Sequence, residues 1–337
     1  MAKKTEPKKA ARPRIFVTQP VSEQALKRLR AVARVAVFAD SRRIIPKRTL
    51  IAEVRKADIL FCLLHDTIDR TVIEANPDLR LIAAQSITPS NIDVAAATAR
   101  RIPVTVTAPI TTEATADLTF GLMLAVARRM LEGDRLARSG VFPGSQSAFL
   151  MGSCVWGKTL GLIGGGGLIG KAVARRGRGF GMRVLYWTPR RKPEREEREA
   201  GLVYVPFEQL LREADFVSIH SPLNEQTRHQ IGARELRLMK KTAFLINTAR
   251  GPIVDEAALV QALTKKQIAG AGLDVFEHEP KIDKALTKMT NVALTPHIGS
   301  ATPEVREAMA GIVVDNILAF LGGHKLPNCV NPQVFAL

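Results

Sequence analysis

Residues 156–192 read WGKTLGLIGGGGLIGKAVARRGRGFGMRVLYWTPRRK. The apolar run 160–163 predicts a buried strand. Four glycines follow at 164–167, and Leu168-Ile169-Gly170 opens a helical pattern carried by Ala172, Val173 and Phe180. A second apolar run, 182–187, predicts the next strand. Strand, glycine turn, helix and strand within about thirty residues is the setting in which G-x-G-x-x-G becomes a dinucleotide fingerprint. The match is Gly165-x-Gly167-x-x-Gly170. The first glycine permits the tight turn, the second lets backbone approach a pyrophosphate, and the third lets helix press on strand. The helix that begins at Leu168 and Ile169 then turns unpaired N–H groups and its positive dipole end toward the phosphates. A glycine turn alone would suit any α/β protein; the flanking elements single out a dinucleotide.

The end of the second strand bears on which dinucleotide. A site for NAD usually places Asp or Glu about twenty residues beyond the glycines, to bond the ribose hydroxyls. In this chain the strand runs into Thr188-Pro189-Arg190-Arg191-Lys192, with no acid until Glu194. A hydroxyl and two or three cations suit a 2′-phosphate, which a carboxylate would repel. Thr188, Arg190 and Arg191 are therefore candidates to hold it, and NADPH (NADP) is expected over NAD. A solvated basic loop would read the same way.

With 337 residues the chain has room for two domains and their cores. Hydrophobic residues at 46% and charged residues at 24% place it among folded globular proteins. The formal net charge of +17 invites thoughts of nucleic acid or a membrane surface. The cations are scattered, however, with no basic–aromatic interleaving and no zinc-ligand spacing. Attraction of anionic ligands is the simpler reading, and neither a nucleic-acid partner nor a metal is expected. Cys62, Cys154 and Cys329 are odd in number and far apart, which suits a reducing compartment and no disulfide framework. No run of eighteen apolar residues occurs, so no membrane span is expected. The N-terminus lacks an apolar h-region, so a cytoplasmic location is expected.

Residues 1–13 hold five cations against Glu6 alone, with two prolines, the composition of a disordered basic tail. Apolar runs at 15–17, 35–38, 59–64, 79–84 and 104–106 then alternate with helical patterns at 22–29, 49–55, 70–75 and 91–99, Ser22 standing at an N-cap position. This spacing predicts a parallel α/β domain. It lacks a glycine fingerprint, which implies a ligand other than the dinucleotide. The longest helical pattern spans 112–130 and is apolar on both faces, through Leu118, Leu122, Ala125, Val126 and Met130 with Phe120 and Met123 beside them. Such a helix is buried between domains or subunits. It reads as the connector and as part of a dimer interface, although an ordinary core helix would look alike. Beyond the fingerprint, strands are expected at 216–219, 243–247, 268–273 and 292–294. Helices are expected at 207–213, 233–239, 255–263 and 302–321, with the last residues packing on the first domain.

Three polar clusters stand just after strands in the second half: 247–251 (NTARG), 274–279 (DVFEHE) and 295–300 (TPHIGS). In open α/β sheets ligands bind at such strand ends. Arg, Glu and His together form a chemical set: Arg holds an anion, His exchanges a proton, and a carboxylate orients the His and favours its charged form.

With these clusters in view, the chain resembles the D-isomer-specific 2-hydroxyacid dehydrogenase family, most closely its glyoxylate/hydroxypyruvate reductases. The resemblance is carried by GKTLGLIG, INTARGPIVDE, AGAGLDVFEHEP, LTPHIGSAT and ADLTFGLMLAVARR, and it covers about residues 50–331. It implies two Rossmann-like doubly wound α/β domains with a discontinuous substrate domain, 14–108 plus 300–337, around a dinucleotide-binding domain, 109–299. By the same resemblance Arg250 binds the substrate carboxylate and polarises its carbonyl, His297 protonates the carbonyl oxygen, and Glu279 pairs with the His. Asp274 would hold the nicotinamide carboxamide. Thr248, Ala249 and Gly299 would line the cofactor, and so would His220 at a strand end. Ile87 and Thr88 fall in the loop that meets the substrate. A homodimer is implied too.

Three departures from the family pattern stand out. The glycine loop is one residue longer, with Gly164 the candidate insertion. Thr88 stands where a glycine is expected, followed by Pro89; Thr tolerates positive φ poorly and Pro removes a donor, so a reshaped loop is expected. A later segment reads Thr107-Ala108-Pro109 in place of T-P-G. The expectation is an NADPH-preferring reductase of small 2-keto acids, glyoxylate or hydroxypyruvate first. The alternatives are an NAD-dependent, phosphoglycerate-type D-2-hydroxyacid dehydrogenase and a non-catalytic, dinucleotide-sensing corepressor-like protein. Formate oxidation is disfavoured because Glu279 is present.

Overall fold

The structure, a computed structural model, describes residues 12–336. The expected basic tail lies outside them save for Arg12 and Pro13. The chain divides into two compact units: one runs to Ile110 and resumes at Thr302, and the other is Thr111–Ala301.

The first unit begins with β1 (Arg14–Val17), α1 (Glu23–Val32), β2 (Arg34–Val37), α2 (Lys47–Val54), β3 (Ile59–Leu63), α3 (Arg70–Glu74), β4 (Leu81–Gln85), α4 (Val94–Ala99) and β5 (Val104–Thr105). The strands pair in parallel in the order β2-β1-β3-β4-β5. β4, LIAAQ, is buried at every position, as a central parallel strand covered on both faces must be. Helix starts are set by side-chain oxygens: Ser22, Asp69 and Asp93 accept from the N–H groups of Ala25, Val72 and Ala96.

The second unit holds α5 (Thr112–Ala127), α6 (Met130–Arg138), β6 (Thr159–Ile163), α7 (Leu168–Gly179), β7 (Arg183–Trp187), α8 (Glu194–Ala200), β8 (Val203–Tyr204), α9 (Phe207–Glu213), β9 (Phe216–Ile219), α10 (Ala233–Leu238), β10 (Phe244–Asn247), α11 (Glu256–Thr264), β11 (Gly270–Leu273) and β12 (Val292–Leu294). Its seven parallel strands run β12-β11-β10-β9-β6-β7-β8. Strand order reverses at β6, between β9 and β7, and a ligand crevice forms at such a switch point beyond the strand ends.

The helix predicted over 112–130 is broken. α5 ends at Ala127, and Arg129 adopts a left-handed φ of 52° before α6 begins. The two apolar sides of α5 are both used inside this unit, against β10, β11 and β12 and against α7. Phe120 lies 5.1 Å from the Phe180 ring. α6, α8 and β8 are not among the predicted elements. α8, EREEREA, has no apolar period; its charges pair four residues apart, Arg195 with Glu199 and Arg198 with Glu194.

The chain then returns to the first unit as α12 (Pro303–Leu321), the longest helix of the described residues. The Thr302 hydroxyl accepts from the Val305 N–H at 3.3 Å and Pro303 takes the first turn. Ala310, Val313, Val314 and Ile317 join Ile15, Val17, Leu26 and Phe61 in one buried cluster. The last residues run along β5. Val330 N–H donates to Val104 O at 2.9 Å, Val106 N–H to Asn328 O at 3.1 Å, and Thr105 bridges Cys329 antiparallel. This contact covers the open edge of the sheet. Among the described residues no helix is long and apolar enough to cross a membrane.

Candidate active site

Because the strands of the second unit are all parallel, the loops that follow β6, β7, β9, β10, β11 and β12 open on one edge of its sheet. The glycine turn comes first. Gly164 has a φ of 81°, and its N–H donates to Trp187 O at 2.8 Å. A Cβ there would lie 2.7 Å from the carbonyl carbon of His220, so only glycine lets the end of β6 close on the end of β9. Gly167 caps α7, its N–H bonded to Gly164 O at 3.0 Å. A Cβ on Gly170 would lie 2.5 Å from Gly165 Cα, so this glycine lets the first turn of α7 press on the glycine turn itself. The N–H groups of Leu168, Ile169 and Gly170 fall in the first turn of α7, where no helical acceptor exists.

His220 follows β9. Its Nε2 lies 2.9 Å from Ser218 Oγ, and its Nδ1 is buried with no partner. Burial pushes its pKa down to about 3, so the ring is neutral near pH 7. A buried orphan nitrogen beside the turn, next to an open helix N-terminus, fits a bound dinucleotide.

The loop after β7 is more committed than its sequence shows. Thr188 Oγ donates to Arg190 O at 2.7 Å. Arg191 donates through Nε and Nη2 to the two oxygens of Glu197, at 2.9 and 2.8 Å. Its guanidinium carbon lies 5.7 Å from the Tyr204 ring centroid. Thr188 and Arg191 thus bond within the loop and to α8. Arg190 is exposed and makes no ion pair among the described residues.

The loops after β10, β11 and β12 carry the ionisable set. Buried Asn247 clamps its own loop, its Oδ1 accepting the Ala249 N–H at 3.0 Å and its Nδ2 donating to Arg250 O at 3.0 Å. Arg250 is half-buried and donates through Nη1 to Ala249 O at 2.7 Å. Burial lowers the pKa of this guanidinium, and the negative charge of Glu279 opposes the shift. His297 has a left-handed φ of 55°, a costly geometry for a side chain with a Cβ. Its N–H is fixed by Asp274 O at 2.8 Å. Its Nδ1–H donates to Glu279 Oε2 at 2.9 Å, and Glu279 Oε1 accepts the Phe276 N–H at 3.0 Å.

Asp274 is wholly buried and binds the same loop. Oδ1 accepts from Thr295 Oγ1 at 2.6 Å and from the Ile298 N–H at 2.8 Å, and Oδ2 from the Gly299 N–H at 2.9 Å. Burial raises its pKa, and those bonds with the nearby His297 charge work against the rise. Its side chain therefore maintains the turn that aims His297.

Two threonines of α5 complete this arrangement, and neither is among the residues singled out from sequence. Thr119 Oγ1 donates to Thr115 O at 2.8 Å, so the 2.9 Å contact between Thr119 and Thr248 has the Thr248 hydroxyl as donor. Thr115 Oγ1 donates to Gly299 O at 3.3 Å. The signal was a pair of hydroxyls four residues apart, and so on one face of the helix, before its apolar half begins.

In the first unit, Ile87 and Thr88 follow β4. Ser86 Oγ donates to Thr88 O at 2.8 Å, and the Thr107 N–H donates to Ser86 O at 2.8 Å. Thr88 is exposed and does not adopt the positive φ that a threonine tolerates poorly.

A family model described as the NAD binding domain of D-isomer specific 2-hydroxyacid dehydrogenases matches residues 120–299. The chain is 46% identical over 327 residues to a glyoxylate reductase of Thermococcus litoralis, covering 96% of this chain and 98% of that one. It is 47% identical over 327 residues to a glyoxylate reductase of Korarchaeum cryptofilum, covering 96% and 97%. A solved structure of a Thermus thermophilus protein aligns with a TM-score of 0.85 at 42% identity, over 94% of this chain and 99% of that one.

Proposed function

The chain belongs to the D-isomer specific 2-hydroxyacid dehydrogenase family, and we propose that it reduces small 2-keto acids, glyoxylate first and hydroxypyruvate next, to 2-hydroxy acids with NADPH preferred over NADH. The observation that carries the chemistry is the Glu279–His297 pair at 2.9 Å, on strand ends beside that of Arg250 and in the same sheet as the glycine turn. Relatives that are glyoxylate reductases support the substrate class.

When bound, the dihydronicotinamide dinucleotide supplies the hydride. Arg250 holds the substrate carboxylate by its guanidinium, which stays charged at any working pH. Partial burial strengthens that attraction, since fewer waters compete for the fork. Glu279 occupies Nδ1 of His297, which assigns Nε2 to the proton given to the carbonyl oxygen. The carboxylate also steadies the imidazolium before transfer. Thr248, Ala249 and Asp274 shape the cofactor's surroundings through the loop bonds described above. The basic loop 188–192 supports NADPH through Arg190, the arginine of the loop that makes no ion pair among the described residues. Homodimerisation belongs to the same reading. It is supported by Met130, Phe142, Met151 and Trp156, which are 55, 90, 66 and 72% exposed between α5 and β6.

The test is initial-rate oxidation of NADPH and NADH, each with glyoxylate, hydroxypyruvate, pyruvate and a bulky aromatic 2-keto acid. NADPH with glyoxylate is expected to be fastest. Preference for NADH would remove the 2′-phosphate reading and leave the catalytic one. Tight cofactor binding with no turnover on any acid would replace the enzyme by a dinucleotide-binding scaffold.

A further inference from the structure

Lys192 runs its side chain over the glycine turn: a Cβ added to Gly166 would lie 2.7 Å from Lys192 Cε and 2.8 Å from its Cγ. The residue is half-buried and makes no ion pair among the described residues. A lysine in a surface loop has many rotamers, and fixing one of them costs entropy. The direction of this one is set from below. Tyr186, fully buried in β7, accepts the Lys192 backbone N–H on its hydroxyl at 2.8 Å and donates that hydroxyl to Glu197 Oε1 at 2.6 Å. Glu197, buried on α8, takes the bidentate fork of Arg191. One phenol and one carboxylate thus tie down two successive loop residues through four hydrogen bonds.

The cluster keeps one charge state across the working range. The Arg191 bonds hold the Glu197 carboxyl down to about 2, and burial pushes the Tyr186 phenol up to about 12. Arg191 and Glu197 neutralise one another. The loop is left with two cations that make no ion pair among the described residues, Arg190 on its exposed side and Lys192 over the turn.

We infer that Tyr186 and Glu197 are positioning residues for dinucleotide selection: they seat Lys192 over Gly166 and withdraw Arg191 from the ligand, so that Lys192 and Arg190 are the cations that recognise the additional phosphate of the phosphorylated dinucleotide. The inference rests on the NADPH reading above. It assigns Arg191, one of the three residues that the sequence offers as phosphate ligands, to the scaffold.

The experiment compares kcat/KM for NADPH and for NADH, with glyoxylate, in the full chain and in Tyr186→Phe, Lys192→Met, Lys192→Arg and the Tyr186→Phe/Lys192→Met double variant, with thermal melts to check folding. Tyr186→Phe alters no charge. It should lower the NADPH-over-NADH ratio about tenfold, the scale of one charge-assisted hydrogen bond, through KM at little cost to kcat. Lys192→Met should do the same, Lys192→Arg should keep most of the preference, and the double variant should be no worse than Lys192→Met alone. A ratio unmoved by Tyr186→Phe in a folded protein, additive losses in the double variant, or equal rises in KM for both dinucleotides would overturn the inference. A wild-type protein that prefers NADH would instead overturn the cofactor reading first, and this inference with it.

Discussion

Glu279 Oε2 and His297 Nδ1 meet at 2.9 Å across eighteen residues of chain, and the other oxygen of the same carboxylate is fixed by the Phe276 N–H at 3.0 Å. The acid is held by backbone on one side and holds the imidazole on the other. Glu279→Gln keeps the shape but removes the charge, and should lower glyoxylate turnover about 10- to 100-fold. His297→Ala removes the proposed proton donor and should cost about 10²- to 10⁴-fold. Steady-state kinetics read both, with fluorescence titration of NADPH to confirm that the cofactor still binds. Losses under about threefold in both variants would refute the catalytic assignment.

In the proposed function Arg250 grips the substrate carboxylate with a planar fork, and lysine cannot reproduce that grip. Arg250→Lys should raise KM for glyoxylate at least about tenfold, with kcat falling alongside as the carbonyl loses its polarising partner. An unchanged KM would move the carboxylate to another residue.

His220 gives the fold a pH dependence of known sign. Its ordinary value is 6.5 and burial brings the folded value down to about 3. Between those limits the unfolded chain holds a proton that the folded chain refuses, so stability falls as pH drops from 6.5 toward 3. His220→Asn should flatten that part of a plot of melting temperature against pH. Parallel curves for the two proteins would show that His220 is protonated without strain.

Asn331 ties the end of the chain to the first unit. Its Oδ1 accepts the Val104 N–H at 2.7 Å, and its Nδ2 donates to Ile102 O and to Thr98 Oγ1 at 2.9 Å each. Asn331→Ala would strand buried polar groups, and should cost about 2–4 kcal/mol in urea unfolding. A shift below about 0.5 kcal/mol, the scale of an ordinary surface substitution, would mean that water replaces the amide there.

Strand runs and the glycine turn were legible because each depends on local sequence: an apolar run buried on both faces, or a turn that excludes a Cβ. The polar clusters at 247–251, 274–279 and 295–300 were legible for the same reason, since they follow directly on apolar strands. Features that depend on a distant partner were not. The break after Ala127 carries no Gly, Asn or Pro, and Arg129 takes the left-handed geometry with no local signal. The bond from Arg191 to Glu197 requires α8, a helix with no apolar period. The threonines of α5 become informative only once β10 and β12 are placed beneath that helix. Asp274 and Thr88 show the same limit. The bonds of Asp274 to the His297 turn needed the fold, and so did the conformation of the Thr88 loop, which avoids positive φ at the threonine in a way that its spacing did not specify.

The interrupted first unit also fixes an order of birth. Residues 14–110 leave the ribosome with one hydrophobic cluster incomplete, because Ala310, Val313, Val314, Ile317 and Leu326 supply the rest of it. The intervening segment, Thr111–Ala301, contains all seven strands of its own sheet and can close as soon as it emerges. The part made first is therefore finished last. Until α12 and the strand-like tail arrive, β5 has an uncovered edge and the nascent chain offers it to any passing strand. Loss of the chain from Thr302 onward is therefore expected to leave residues 14–110 with an incomplete core and an open sheet edge.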